Sequence, residues 1–206
     1  MIVVGLTGSM AMGKTTVASM FALFGIPVFD ADASVRDFYS GNTARFVESM
    51  FPGVVIEGRV DRDRLADLVL SDAEALSKLQ GLVHPAVAKA RSEFVEDAKL
   101  KGRRLVVLDI PLLFETGTQA TVDIFLVVSA PESIQLARAM AREGMTEDKF
   151  LYLVSQQKSD LEKRRRSHFV IDTSETYDKT QEQVKQFLRC TLGLERRNGH
   201  HARNRS

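Results

Sequence analysis

Ile2-Val-Val-Gly-Leu-Thr-Gly8-Ser-Met-Ala-Met-Gly13-Lys14-Thr15-Thr16 begins as an apolar run and ends as a glycine-bracketed loop. Ile2 to Leu6 suits a parallel strand buried on both faces. Gly8, four further residues and then Gly13-Lys14-Thr15 fit the pattern G-x-x-x-x-G-K-[ST]. Lys14 to Phe24, rich in Ala, Met, Phe and Leu, reads as the helix behind it. Strand, loop and helix in that order read as a P-loop, against the alternative of a plain glycine turn. The spacing has a physical reason. A loop wrapped around an anion needs backbone N–H groups turned inward, and Gly8 and Gly13 supply the steric freedom. The helix starts at the phosphates, so its unpaired N–H groups and its dipole add to the attraction. Lys14 has the reach for the outer phosphates of a nucleotide, and the Thr15 hydroxyl is placed to hold a Mg²⁺ ion bridging two of them.

With 206 residues the chain can bury one good core, with room for a small insertion. A hydrophobic content of 44% and a charged content of 27% are those of an ordinary soluble protein. No apolar run approaches the roughly 18 residues of a membrane span, and Met1 to Gly8 lacks a basic n-region and a cleavage site. No membrane association is expected, and the expected location is the cytoplasm. The single cysteine, Cys190, cannot form an internal disulfide; beside Val184, Phe187, Leu188 and Leu192 it is expected as a buried thiol. The net charge of +1 is unevenly spread. Residues 195–206 carry four arginines and one glutamate, which leaves 24 basic against 26 acidic side chains in the first 194 residues, a net of −2. A mildly acidic body argues against a nucleic-acid partner, and no obligate protein partner is evident. Residues 195–206 read as a basic disordered tail, with His200-His201 a candidate metal or RNA contact.

Beyond the loop the chain alternates strand and helix, the pattern of an α/β fold with a parallel sheet. Gly25-Ile-Pro-Val-Phe-Asp30 supplies a helix stop, an apolar strand and a carboxylate at the strand's end, with Asp32 two residues on. In open α/β sheets the ligand crevice lies at the carboxyl ends of the strands, so both aspartates are expected to open toward the same place as the P-loop. Asp32 has two readings. It caps a helix over Ala33 to Tyr39, or it is a general base that takes the proton of an alcohol as its oxygen bonds to phosphorus.

Residues 42–101 are mostly helical by pattern, over Asn42–Phe51, Asp61–Leu70, Ser71–Leu82 and His84–Leu100, with breaks at Pro52-Gly53, Gly58 and His84-Pro85. The next strand begins only at Leu105, so this stretch is an inserted helical subdomain. In a kinase, such an insertion suits binding the acceptor and excluding water. His84 reads as a cap, a core residue or a ligand contact. Leu105–Asp109 is a buried strand whose terminal Asp109 either approaches Mg²⁺ through water or orients loop N–H groups. Val122–Ser129 is a further strand, and Pro131 opens a helix on which Gln135, Arg138 and Arg142 share a face. With Glu143-Gly144-Met145 beyond them, the two arginines form either a hinged flap over a triphosphate or a solvated basic face. A helix over Glu147–Arg166 ends in Lys163-Arg-Arg-Arg166, a basic run favoured by the dipole. Phe169–Thr173 is a fifth strand, and Tyr177–Leu194 an amphipathic closing helix.

The set of Gly-Leu-Thr-Gly8 with the P-loop, Asp30-Ala-Asp32 followed by Arg36, His84-Pro85, Pro111-Leu-Leu-Phe-Glu115, Gln135 with Arg138 and Arg142, Gln157, and Val170-Ile-Asp172 resembles the dephospho-CoA kinase family. The resemblance implies a P-loop NTPase fold with a five-stranded parallel sheet flanked by helices. Its core would be residues 1–32, 103–137 and 153–194, with a helical CoA-binding insertion at 33–102 and a short lid at 138–152. It implies transfer of the ATP γ-phosphate to the ribose 3′-hydroxyl of dephospho-CoA, with Mg²⁺ as cofactor. By position, Asp32 is similar to the catalytic base, and Ala11, Met12, Gly13, Lys14, Thr15 and Thr16 to the ATP loop. Arg36, His84, Pro111, Leu112, Leu113 and Glu115 are similar to the acceptor side, and Arg138 and Arg142 to the lid.

The family loop commonly reads Gly-Gly-Ile-Gly-Ser-Gly-Lys-Ser, and here Ser9, Met10, Ala11, Met12 and Thr15 stand for five of those residues. Ala11 is expected to keep φ below zero, since a Cβ is tolerated there only on that condition. Ser167-His168 and Thr173 stand where the family often has Ala-Asp and a later Asn. Two other readings are a nucleoside monophosphate or shikimate kinase, against which the long insertion argues, and a nucleotide sensor without catalysis, for which Ala11 is the support.

Overall fold

The structure, a computed structural model, describes residues 1–70 and 72–193. The basic segment 195–206 with His200 and His201 lies outside the described residues, as do Ser71 and Leu194 at the expected ends of two helices. The chain divides into two compact units, Met1–Val28 with the chain from Gly102 on, and Phe29–Lys101.

The chain opens with β1 (Ile2–Thr7), α1 (Lys14–Leu23), β2 (Val28–Asp30) and α2 (Ala31–Phe38). Next come α3 (Gly41–Met50), a hairpin of β3 (Val55–Ile56) and β4 (Arg59–Val60), α4 (Arg62–Leu70) and the long α5 (Ala73–Leu100). Then follow β5 (Leu105–Asp109), β6 (Ile124–Ser129), α6 (Glu132–Met140), α7 (Glu147–Ser155), α8 (Asp160–Arg166), β7 (Phe169–Asp172) and α9 (Tyr177–Leu192). Five strands form one sheet in the order β2-β5-β1-β6-β7. β1 lies at its centre, parallel to β5 on one side and to β6 on the other, and β6 runs parallel to β7. A central parallel strand is covered on both faces, which is why Ile2 to Leu6 is continuously apolar and why Val4 and Leu6 are fully buried. Val17 and Phe21 of α1 and Val184 and Phe187 of α9 complete that core, with the Phe21 and Phe187 rings edge to face at 5.7 Å. The other unit has its own core, built on Val47, Phe51, Val54, Leu65, Leu79 and Val83. Among the described residues no helix is long and apolar enough to cross a membrane.

Several local expectations give way to tertiary forces. α5 runs unbroken through His84-Pro85. Proline inside a helix removes one hydrogen bond, at a cost of about 3 kcal/mol. Buried Leu79 and Val83 before it and Ala98 beyond it hold the helix in one piece. Gly58 is not a plain break: Glu57 and Gly58, both at positive φ, turn a two-residue hairpin in which Val55 faces Val60. The helix expected over Glu147–Arg166 is two, because residues 156–159 leave helical geometry and Ser159 caps the second through the Glu162 N–H. Cys190 is exposed, since the buried stripe of α9 is Val184, Phe187 and Leu188 and Cys190 falls off it.

Candidate active site

The parallel register sets Leu6 opposite Asp109, so the strand that feeds the P-loop ends beside the carboxylate that ends β5. Asp109 is 5% exposed, and its Oδ1 pairs with Lys14 Nζ. The α1 N-terminus is Gly13 at φ 87 and carries no side-chain cap. The backbone N–H groups of Gly13, Lys14 and Thr15 have no hydrogen-bond partner among the described residues, which leaves the positive end of the helix open to an anion. Gly8 is required by close approach: a Cβ there would lie 2.6 Å from the Val128 carbonyl oxygen. Ala11 sits at φ 60, in the left-handed region, contrary to the expectation of a negative φ. Ala11 and Met12 are buried, their side chains packed in apolar clusters. Thr15 and Thr16 are exposed, and the Thr15 hydroxyl has no hydrogen-bond partner among the described residues.

The outer turn of the loop is held by side chains from distant elements. The Met10 N–H donates to Gln157 Oε1 at 3.1 Å, and the Met10 carbonyl accepts from Gln135 Nε2 at 2.8 Å. The Met12 carbonyl accepts from the Thr173 hydroxyl at 2.7 Å. Arg138 donates to that same hydroxyl at 3.0 Å and to the Thr173 carbonyl at 2.6 Å. Arg138 therefore braces the end of β7 against the loop. α6 ends at Met140, so Arg142 does not share its helical face; it is exposed and without an ion-pair partner among the described residues.

Thr7 donates its hydroxyl to the Pro111 carbonyl at 3.0 Å, tying the Pro111–Glu115 loop to the end of β1. Leu112 is exposed, whereas Leu113 is fully buried and serves packing rather than ligand contact. Glu115 is committed within the protein as well. Its Oε1 accepts the Lys158 N–H at 2.9 Å and lies 3.0 Å from Nζ of the fully buried Lys163. Lys163 is thus no dipole-favoured surface cation but the counter-ion of Glu115.

In the other unit Asp30, not Asp32, caps α2, accepting the Ala33 N–H at 2.8 Å. Asp32 lies within the first turn of that helix, exposed, with no hydrogen-bond or ion-pair partner among the described residues. Four residues on, and so on the same helical face, Arg36 is exposed and sits 3.6 Å from Asp30. His84 is exposed in the middle of α5, neither cap nor core. Seven residues further along α5 stands Arg91, half-buried, which no motif in the sequence marks. Burial pushes its guanidinium below the ordinary value, and no ion-pair partner is present among the described residues.

The sequence profile of the dephospho-CoA kinase family matches residues 2–179. The chain belongs to the dephospho-CoA kinase family. A dephospho-CoA kinase of Rhodopseudomonas palustris is 43% identical over 195 residues, spanning 95% of this chain and 98% of the relative. One from Brucella melitensis is 46% identical over 188 residues, spanning 91% and 94%. Among solved structures, a crystal structure of a Thermus thermophilus protein superposes with a TM-score of 0.77 at 34% identity, covering 95% of this chain and 98% of the other. As a member of the family the chain is an ATP-dependent kinase of coenzyme A biosynthesis.

Proposed function

We propose that this kinase transfers the ATP γ-phosphate to the ribose 3′-hydroxyl of dephospho-CoA, and that it does so in the cytoplasm, with Gly8 and Ala11 to Thr16 as its nucleotide loop. The observation that carries the reading, beyond the family match, is the uncapped start of α1, with the N–H groups of Gly13 to Thr15 open and Lys14 alongside. Lys14 leaves Asp109 for the outer phosphates and stays with the charge that develops as the phosphoryl group moves, so it contributes to transition-state binding. Arg142, exposed beyond α6, supplies a second cation, and Arg138 orders the segment it follows from.

The donors fit a magnesium ion: an exposed hydroxyl at Thr15 with no hydrogen-bond partner among the described residues, and a nearly buried carboxylate at Asp109. Thr15 and Asp109 would hold Mg²⁺, which when bound neutralises phosphate charge.

In the Phe29–Lys101 unit, Asp32 is the general base. Its carboxylate is not used as a helix cap, because Asp30 is, and so it can accept the 3′-hydroxyl proton. Arg36, His84 and Leu112 are the acceptor-side candidates whose side chains are exposed.

The test is ADP release with Mg²⁺-ATP, comparing dephospho-CoA with adenosine, AMP, CMP and shikimate, in wild type and Asp32→Asn. Turnover confined to dephospho-CoA, reduced roughly 10²-fold or more in the variant with ATP affinity retained, is the expected result. Turnover on another acceptor overturns the substrate, and an unchanged kcat in the variant overturns the base.

A further inference from the structure

Ala11 holds a backbone conformation that residues with a Cβ avoid, at φ 60 and 6% exposed. Such a conformation persists only where its surroundings over-determine it. φ of Ala11 is the rotation of the peptide between Met10 and Ala11 about the N–Cα bond. The carbonyl of that peptide is the one that Gln135 Nε2 grips at 2.8 Å. The preceding peptide, between Ser9 and Met10, is gripped through its N–H by Gln157 Oε1 at 3.1 Å. The following peptide is fixed by the Met12 N–H on the Ser9 carbonyl at 3.2 Å. Two carboxamides thus act in opposite senses on successive peptides, one as acceptor and one as donor.

We infer that Gln135 and Gln157 are positioning residues for phosphate transfer, which hold the loop in its anion-binding shape by keeping Ala11 left-handed. Gln135 is 4% exposed on α6, and Gln157 lies in the turn between α7 and α8. The next residue of that turn, Lys158, is anchored on Glu115 through its N–H. Gln157 therefore links the placement of the α7–α8 turn to the shape of the loop. The inference rests on the nucleotide-binding reading of the loop and adds the residues that preserve it.

The test is a double-mutant cycle. Gln135→Met and Gln157→Met keep side-chain volume and remove the hydrogen bond. Each is made in the natural chain and in the Ala11→Gly background, where glycine adopts φ near +60° without penalty. Mg²⁺-ATP affinity is measured by titration, and KM for ATP and for dephospho-CoA by steady-state kinetics. With Ala11 present, each variant is expected to weaken ATP binding about tenfold, the ratio that corresponds to release of a left-handed alanine. KM for dephospho-CoA should hold steady. In the Ala11→Gly background the same substitutions are expected to cost about twofold.

Equal losses in both backgrounds, or no loss with Ala11 present, overturn the inference. A fall in dephospho-CoA affinity matching that for ATP also overturns it, since general loosening would produce it. Should buried Gln135→Met fail to fold, the half-buried Gln157→Met decides alone. Failure of the natural chain itself to bind Mg²⁺-ATP would instead sink the nucleotide-loop reading, so the two failures are distinguishable.

Discussion

Lys163→Met removes the counter-ion of Glu115 while keeping most of the side-chain volume. In the natural chain the Lys163 side chain is 0% exposed and the Glu115 side chain 14%, with Nζ and Oε1 3.0 Å apart. Oε1 also accepts the Lys158 N–H, whereas Oε2 is buried with no hydrogen-bond partner among the described residues. The substitution leaves a carboxylate in a nearly closed site with one N–H to stabilise its charge. Removing one member of a buried pair costs roughly 3–5 kcal/mol. Because Glu115 retains a hydrogen bond and slight exposure, the lower end applies, about 3 kcal/mol. For a chain of this size that corresponds to a fall in Tm of roughly 6–12 °C. The double variant Lys163→Met with Glu115→Leu removes both charges and is expected to regain most of the loss, since apolar replacement of a whole buried pair is close to neutral. Urea unfolding of wild type, the two single variants Lys163→Met and Glu115→Leu, and the double variant measures the cycle. A single variant within about 1 kcal/mol of wild type, or a double variant as unstable as the single, would refute the reasoning.

Gly8→Ala would put a methyl group 2.6 Å from the Val128 carbonyl oxygen. A loss of about 1–3 kcal/mol and a sharply weakened ATP affinity are expected, checked by thermal melting and nucleotide titration. Arg91→Met removes a half-buried cation that has no ion-pair partner among the described residues. Because burial disfavours its charged form, stability is expected to be unchanged or higher, checked by urea unfolding; a loss above about 1 kcal/mol would show that the guanidinium is compensated where it sits. Glu48 accepts the Gly53 and Val55 N–H groups, chiefly the first, which holds its carboxyl below the ordinary 4.5. A depressed pKa contributes stability above the unfolded-state value that is lost as pH falls through the folded one. Glu48→Gln should therefore lower stability at neutral pH and flatten the decline below about pH 4.5, measured by urea midpoints from pH 3 to 7.

The frame of the fold was legible because its signals are local. The apolar run of β1, the glycine-bracketed loop and the stripe of α9 are each contained within one element, and a buried parallel strand can be written in few other ways. Boundaries were less so. Asp30 and Asp32 both have the chemistry of a cap, and only the backbone extended at φ −99 on Asp30 decides between them. β3 and β4 are two residues each, too short to show alternation, so the hairpin was hidden behind Gly58. Pro85 read as a stop because the packing that carries α5 past it comes from Leu79 and Val83, whose burial no local pattern declares.

The site divides along the same line. Lys14, Thr15 and the glycines could be read from spacing, since a phosphate loop binds with consecutive backbone groups. What holds that loop could not. Gln157 meets Met10 across 147 residues, Gln135 meets it across 125, and Thr173 meets Met12 across 161. Gln135 and Gln157 belong to the set that carries the family resemblance, but nothing local to a glutamine on a helix or in a turn distinguishes a clamp from a solvated side chain, and the same holds for Lys163 within a run of four basic residues. The departure at Ala11 is the one local clue. A Cβ at φ 60 needs restraint from outside the loop, and side chains from α6, the α7–α8 turn and the residue following β7 converge on residues 10 to 12 to supply it. A loop with glycine at that position would need the clamps less, so the sequence of the loop and the demand on its distant partners are coupled through one dihedral angle.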